Sequence, residues 1–185
     1  MTVPAVEGAG ALAAPGLGRR MAAFVYEGML LFGIGLIPGA IGALFGALTG
    51  QQHPLQSDTA LRTLTLLIYA MYFTWFWSAR GQTLAMQTWH IRVVTRDGRP
   101  LTQRRALLRF VASCAWFAPA AALAAFNGWA RWEALSAVAI GVIAYALLAL
   151  LHPQRQFWHD ALCGTRLVMA RPADGPPARV HNSGP

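Results

Sequence analysis

Four ionisable residues stand within or beside apolar stretches of this 185-residue chain: Arg20, Glu27, Arg109 and Asp160. A carboxylate several residues into an apolar helix is costly in hydrocarbon and faces a cavity or a partner, which makes Glu27 the most informative position. Arg20 and Glu27 lie about two helical turns apart and within roughly 20° of one helix face. At that separation a third group or a water bridges them more readily than direct contact. A carboxylate so placed can carry a proton or coordinate a cation; it can equally pair with Arg and hold a helix bundle in register. Asp160 lies in Phe157-Trp158-His159-Asp160, followed by Ala161-Leu162-Cys163-Gly164-Thr165. His beside Asp invites an enzymatic reading, but no Ser or Cys stands in a nucleophile elbow, so an enzyme is not expected. The segment instead offers a carboxylate to Arg residues at the cytoplasmic ends of the first or third apolar span. Cys114 and Cys163 belong to no CxxC or Cys/His cluster, and Asp97-Gly98 lacks the further ligands of a Ca²⁺ loop. No metal and no cofactor are expected.

The elements that must position these residues are membrane helices. The chain is 56% hydrophobic and 12% charged, against roughly 45–50% and 25% in an ordinary soluble domain. A hydrocarbon core about 30 Å thick needs roughly 20 apolar residues. Four such runs are predicted, over residues 21–48, 61–79, 106–126 and 134–151. Pro38 is the expected kink in the first. Gly28, Gly35, Gly39, Gly42 and Gly46 form a ridge with two GxxxG steps. It permits close approach by another span or by a second copy in a homo-oligomer. A broken helix lining a transport path is the other use of such a ridge.

Fifteen Arg and no Lys against seven acidic residues give a net charge of +8, which taken alone points to nucleic acid. The distribution excludes that reading. Residues 80–109 carry +6, residues 1–20 and 152–185 carry +1 and +2, and residues 49–62 and 127–133 are neutral. By the positive-inside rule the excess marks the cytoplasmic side of a four-span topology with both termini cytoplasmic. Residues 1–18 lack the basic start of a signal peptide. Trp75 and Trp77, then Trp129 and Trp132, fall at span ends of opposite interfaces. Arg pairs bidentately with phosphate, so an Arg-only face suits anionic lipid headgroups; a genomic bias toward Arg accounts for the same composition.

Between spans two and three, Trp89-His90-Ile91-Arg92-Val93 alternates in polarity and Arg96-Asp97-Gly98-Arg99 reads as a tight turn. A short cytoplasmic strand or hairpin on the membrane surface is expected, with Pro100 limiting the return strand and Thr102 capping the next helix. A short interfacial helix is expected over residues 81–86, with Leu84 and Met86 toward lipid. The fold class is thus an all-α membrane protein with four transmembrane helices and that one strand or hairpin. After span four, Pro153 is expected to end the helix, and Phe157 and Trp158 to settle at the interface.

Taken in order, these pieces resemble the RDD family of small bacterial membrane proteins, named for one Arg and two Asp. Gly18-Arg19-Arg20-Met21-Ala22-Ala23-Phe24-Val25-Tyr26-Glu27 is similar to its first element, with Arg20 at the family Arg and Glu27 at the first Asp. Gly81-Gln82-Thr83-Leu84, Arg92-Val93-Val94, Asp97-Gly98-Arg99-Pro100-Leu101 and Ala106-Leu107-Leu108-Arg109 are similar to the middle element. His159-Asp160 with Gly164-Thr165 places Asp160 at the second Asp. Two positions depart: Glu27 lengthens the carboxylate by a methylene, and Ala85-Met86 stands where many members have Gly-Lys. The resemblance covers about residues 17–169 and implies a bacterial inner-membrane protein; the domain is expected over residues 19–170, with flexible cytoplasmic tails at 1–18, rich in Ala, Gly and Pro, and 171–185. It also implies transport of a small solute or ion, sodium/proton exchange having been proposed for some members. A membrane scaffold, in which the same charges only lock helices together, is the alternative.

Overall fold

The computed structural model describes residues 14–50, 58–114, 117–151 and 156–170. Residues 1–13 of the first expected tail, the whole of the second and residues 152–155, with Pro153, lie outside the described residues. The chain runs through α1 (Leu17–Thr49), α2 (Asp58–Ala79), α3 (Leu84–Thr88), β1 (Ile91–Thr95), α4 (Gln103–Cys114), α5 (Ala118–Asn127), α6 (Arg131–Leu148), α7 (Trp158–Leu162) and β2 (Thr165–Met169). Among the described residues, three stretches are long and apolar enough to cross a membrane: Leu17–Thr49, Gln103–Ala124 and Arg131–Leu148. The fourth expected span, α2, is 22 residues long but is not among them, its aliphatic run being interrupted by Arg62, Thr65, Tyr69, Tyr72 and Thr74.

At 33 residues α1 is about 50 Å long at 1.5 Å per residue, more than a bilayer core requires. Phe32, Ile41 and Leu48 are 63% or more exposed along it, as residues facing lipid tails would be. Pro38 is accommodated inside the helix. Pro15 is buried and Leu17 and Gly18 are already helical, so structure begins within the segment expected as a tail. The glycine ridge divides. At Gly35 a Cβ would lie 2.5 Å from the hydroxyl of Tyr69, which donates to the Leu31 carbonyl at 2.7 Å. Gly35 thus lets α2 approach, and Gly42 is buried, whereas a Cβ at Gly28 or Gly39 would meet nothing within 4 Å.

Of the expected strand or hairpin, the strand forms as β1, and no return strand follows it directly. The turn closes, with Gly98 N–H donating to Thr95 O and Thr95 N–H to Arg99 O, both at 2.9 Å. Pro100, which has no N–H, then ends any return strand. The partner is instead β2, antiparallel and paired Ile91 with Met169 through Thr95 with Thr165. Outward groups of this ribbon are met locally. Val93 N–H donates to Gly81 O at 2.8 Å, and Gln82 Nε2 donates to Ile91 O at 2.7 Å. The Gln156 amide takes Leu167 N–H and gives to Leu167 O, each at 3.0 Å. Both edges are thereby blunted.

The main core sits at this end of the helices: Ala23, Trp77, Met86, Ile91, Val93, Leu101, Ala106, Phe110 and Leu167. Met86 belongs to it, correcting the expectation that it faces lipid; α3 starts at Leu84, capped by Thr83, so Met86 turns inward while Leu84 stays exposed. Trp77 is likewise buried while Trp75 is exposed, because helical positions two apart point about 200° apart, onto opposite faces. Thr102 does cap α4, accepting from Arg105 N–H at 3.3 Å. Gly81 joins α2 to this core at φ 68, and a Cβ there would sit 2.9 Å from Val93 O. Gly81→Ala is therefore expected to cost about 1–2 kcal/mol from the left-handed backbone alone, with the clash added. Thermal unfolding in detergent reads this as a lowered midpoint; an unchanged midpoint would refute it.

Candidate functional site at the helix ends

Asp160 is delivered by a single turn of helix, α7, and is completely buried. Arg109, on the inward face of α4, donates from Nε to Asp160 Oδ1 at 2.6 Å. Its guanidinium lies 4.1 Å over the Trp77 ring. The Thr165 hydroxyl, at the start of β2, lies 3.0 Å from the same carboxylate oxygen. The expectation that an Arg of the third span reaches Asp160 describes the α4–α7 contact. Burial opposes ionisation of Asp160, yet the Arg109 charge and the hydrogen bonds from Arg109 and Thr165 together hold its carboxyl below the usual range.

Arg20 enters from α1 and is only 3% exposed. Its guanidinium covers the Phe157 ring at 4.8 Å, and Asp160 and Tyr145 are the groups that act on it electrostatically. Arg20 Nε and Nη1, and Asp160 Oδ2, are buried with no hydrogen-bond partner among the described residues. Phe157 stacks on Tyr145 at 5.3 Å and on His159 at 5.6 Å, so it lines the site and does not lie free at the interface. Trp158 does remain exposed.

His159 Nδ1 lies 2.6 Å from the Tyr145 hydroxyl of α6, and its Nε2 lies 3.7 Å from Asp160 Oδ2. Burial pushes its pKa down to about 4 against the pull of Asp160. The neutral ring then accepts from Tyr145 and turns its Nε2 proton toward Asp160.

Glu27 takes its partners elsewhere. Tyr72 on α2 donates to Oε1 at 2.7 Å, and the Thr83 hydroxyl donates to Oε2. Thr83 also accepts from Met86 N–H at 3.2 Å, capping α3. An Arg partner for Glu27, one of the two readings of the sequence, is not found among the described residues; two hydroxyls from other elements hold its carboxylate instead. Two turns of helix separate Arg20 from Glu27, and closer donors occupy both carboxylate oxygens. The four charged residues thus form two groups: Arg20, Arg109 and Asp160 with a ring of aromatics, and Glu27 with Tyr72 and Thr83.

Tyr72, Tyr145, His159, Gln156 and Thr165 were not singled out as site residues by sequence reasoning. Thr83 and Thr165 lie in the family-like segments, and His159 is next to Asp160. The tyrosines carry no local signal, since each is one aromatic among many in an apolar helix.

The RDD family profile matches residues 14–164. The chain belongs to the RDD family. All four charged positions of this RDD protein fall inside the match, which ends at the residue before β2. No curated protein and no solved structure matches the chain.

Proposed function

We propose that this RDD protein is a multi-pass protein of the bacterial inner membrane that moves a small solute or ion through the polar site at its helix ends. In this reading α2 is the fourth span: at 22 residues it is about 33 Å long, and it packs against α1 and α4. The arginine excess then sets the helix ends that carry the ribbon, and both termini, in the cytoplasm. One observation carries the transport reading. Arg20 Nε, Arg20 Nη1 and Asp160 Oδ2 are buried without hydrogen-bond partners among the described residues, whereas charges kept only for packing are ordinarily satisfied. Donor groups and an acceptor left unused in one aromatic-lined site suit a passing polar species. Glu27, ringed by hydroxyl oxygens, adds a carboxylate able to exchange a proton or hold a cation.

The test is uptake and efflux of Na⁺, K⁺ and H⁺ by proteoliposomes. Glu27→Gln and Arg20→Gln are expected to lower flux by about tenfold or more, an effect of about 1.4 kcal/mol. No flux above empty vesicles, or equal flux in both variants, defeats the reading. A chain of this size is further proposed to work as a homo-oligomer, with the outward part of the glycine ridge as a contact.

A scaffold or accessory role is favoured by a different observation, the closed Glu27–Tyr72–Thr83 set and the Arg109 and Thr165 contacts to Asp160 Oδ1. That reading expects Glu27→Gln and Asp160→Asn to reduce folded protein in the membrane and a partner to co-purify. Normal assembly with lost flux rejects it.

A further inference from the structure

The two faces of the ribbon differ. Ile91, Val93 and Leu167 enter the core, so the pairing of Arg92 with Val168 and of Val94 with Arg166 puts these four side chains on the opposite face. Arg92 and Arg166 are diagonal neighbours across the two strands, with Cβ atoms about 7–8 Å apart in such positions. Two guanidinium groups on long stems can converge on one tetrahedral oxyanion from there. Val94 and Val168 between them are buried, ground that Arg stems are suited to cover. The Nε atoms of both arginines are buried with no hydrogen-bond partner among the described residues. The ion pairs found among those residues both involve Asp160, so neither arginine has an acidic partner there. Gly81 gives Arg92 its place: a Cβ at Gly81 would lie 3.1 Å from Arg92 Cγ. Arg96, two residues past Val94, is fixed nearby through its bond to the Ala161 carbonyl.

We propose that Arg92 and Arg166 clamp the phosphate of an anionic phospholipid on this face of the ribbon. Arg forks match phosphate oxygens bidentately. The choice of lipid over free phosphate follows from position. The ribbon leaves α2 at Ala79 and leads into α4 at Gln103, which sets it at headgroup level when those helices span. Exposed Leu84 and Trp89 immediately before β1 offer apolar contact to the glycerol and upper chains. Arg80, Arg99, Arg104 and Arg105 belong to the same arginine-rich stretch of sequence, with Asp97 as its acid. The clamp is independent of transport, so its failure leaves the flux reading untouched.

The test uses the full chain in neutral detergent, titrated separately with short-chain phosphatidylglycerol, phosphatidylcholine of the same chain length, and inorganic phosphate. Bound lipid is counted by native mass spectrometry. Phosphatidylglycerol is expected to bind about tenfold more tightly than phosphatidylcholine, and Arg92→Gln/Arg166→Gln to lose about tenfold of that affinity. Arg99→Gln/Arg104→Gln, at two exposed positions, is expected to stay within about twofold. Arg92→Lys/Arg166→Lys keeps the charge and loses the forks; it is expected to weaken binding by about threefold or more, and it decides the matter if the Gln pair does not fold. Unchanged binding in the Lys pair overturns the clamp. An equal loss in the Arg99/Arg104 variant overturns it in favour of diffuse attraction. Binding of inorganic phosphate without phosphatidylglycerol overturns the lipid assignment.

Discussion

Arg109→Met is expected to destabilise the folded protein by about 3–5 kcal/mol, the usual cost of stranding one member of a buried ion pair. Asp160 has no exposed surface, and Arg109 Nε is its shortest charged contact at 2.6 Å. Thr165 and a ring nitrogen at 3.7 Å are poor replacements for a guanidinium. The same substitution removes the cation over Trp77 while a thioether of similar length keeps the ground filled. The double variant Arg109→Met/Asp160→Asn should recover much of the loss, because no uncompensated charge is then buried. Chemical unfolding in mixed micelles, with all four corners of the cycle measured, gives the coupling directly. A single variant as stable as the wild type would show that Asp160 is compensated by something other than Arg109.

Acidification supplies the second large effect. His159 ionises near 6.5 in the unfolded chain and near 4 in the folded one. A depressed folded value means that the unfolded state takes up the proton first. Stability is thus fully present above pH 6.5 and falls as the pH drops toward 4, by about 3 kcal/mol over the interval. Asp160, whose folded value is also depressed, adds a separate limb at more acid pH. Its contribution is present above the ordinary carboxylate range and lost as the pH falls through the folded value. Unfolding midpoints between pH 7.5 and 4 should therefore slope downward in the wild type. They should flatten in His159→Gln, which keeps a polar partner for Tyr145. An equal slope in the variant would assign the effect to another group.

What was legible in the sequence and what was not divides along range of interaction. The three apolar helices, β1, the Gly98 turn and the Thr102 cap are local patterns and were read locally. The pairing of β1 was not, because its partner Thr165–Met169 lies some 70 residues further on and too short to signal more than a few apolar residues. Arg109 could be assigned to Asp160 because a buried carboxylate needs a cation and few are near. For Glu27 an Arg partner was one of two readings, and that one fails: two hydroxyl donors from α2 and the α3 cap hold the carboxylate instead. Hydroxyls of Thr and Tyr are too common in membrane helices to be marked in advance. The helix α2 was read to its last residue but starts three residues before the expected Leu61, and its aromatic and hydroxyl side chains, used here to line a site, dilute the hydropathy that marks a span.

The pairing of β1 with β2 has a consequence for how the chain comes into being. β1, Arg20 and Arg109 are all made well before Asp160, Gln156 and β2. Until the last segment leaves the ribosome, one strand edge is open and Arg109 lacks its counter-ion at the membrane surface. The final fifteen described residues act as a latch that closes both faults in one step. Shortening the chain before Gln156 would leave every long helix present and the assembly still unfinished, with an unpaired strand and an uncompensated arginine.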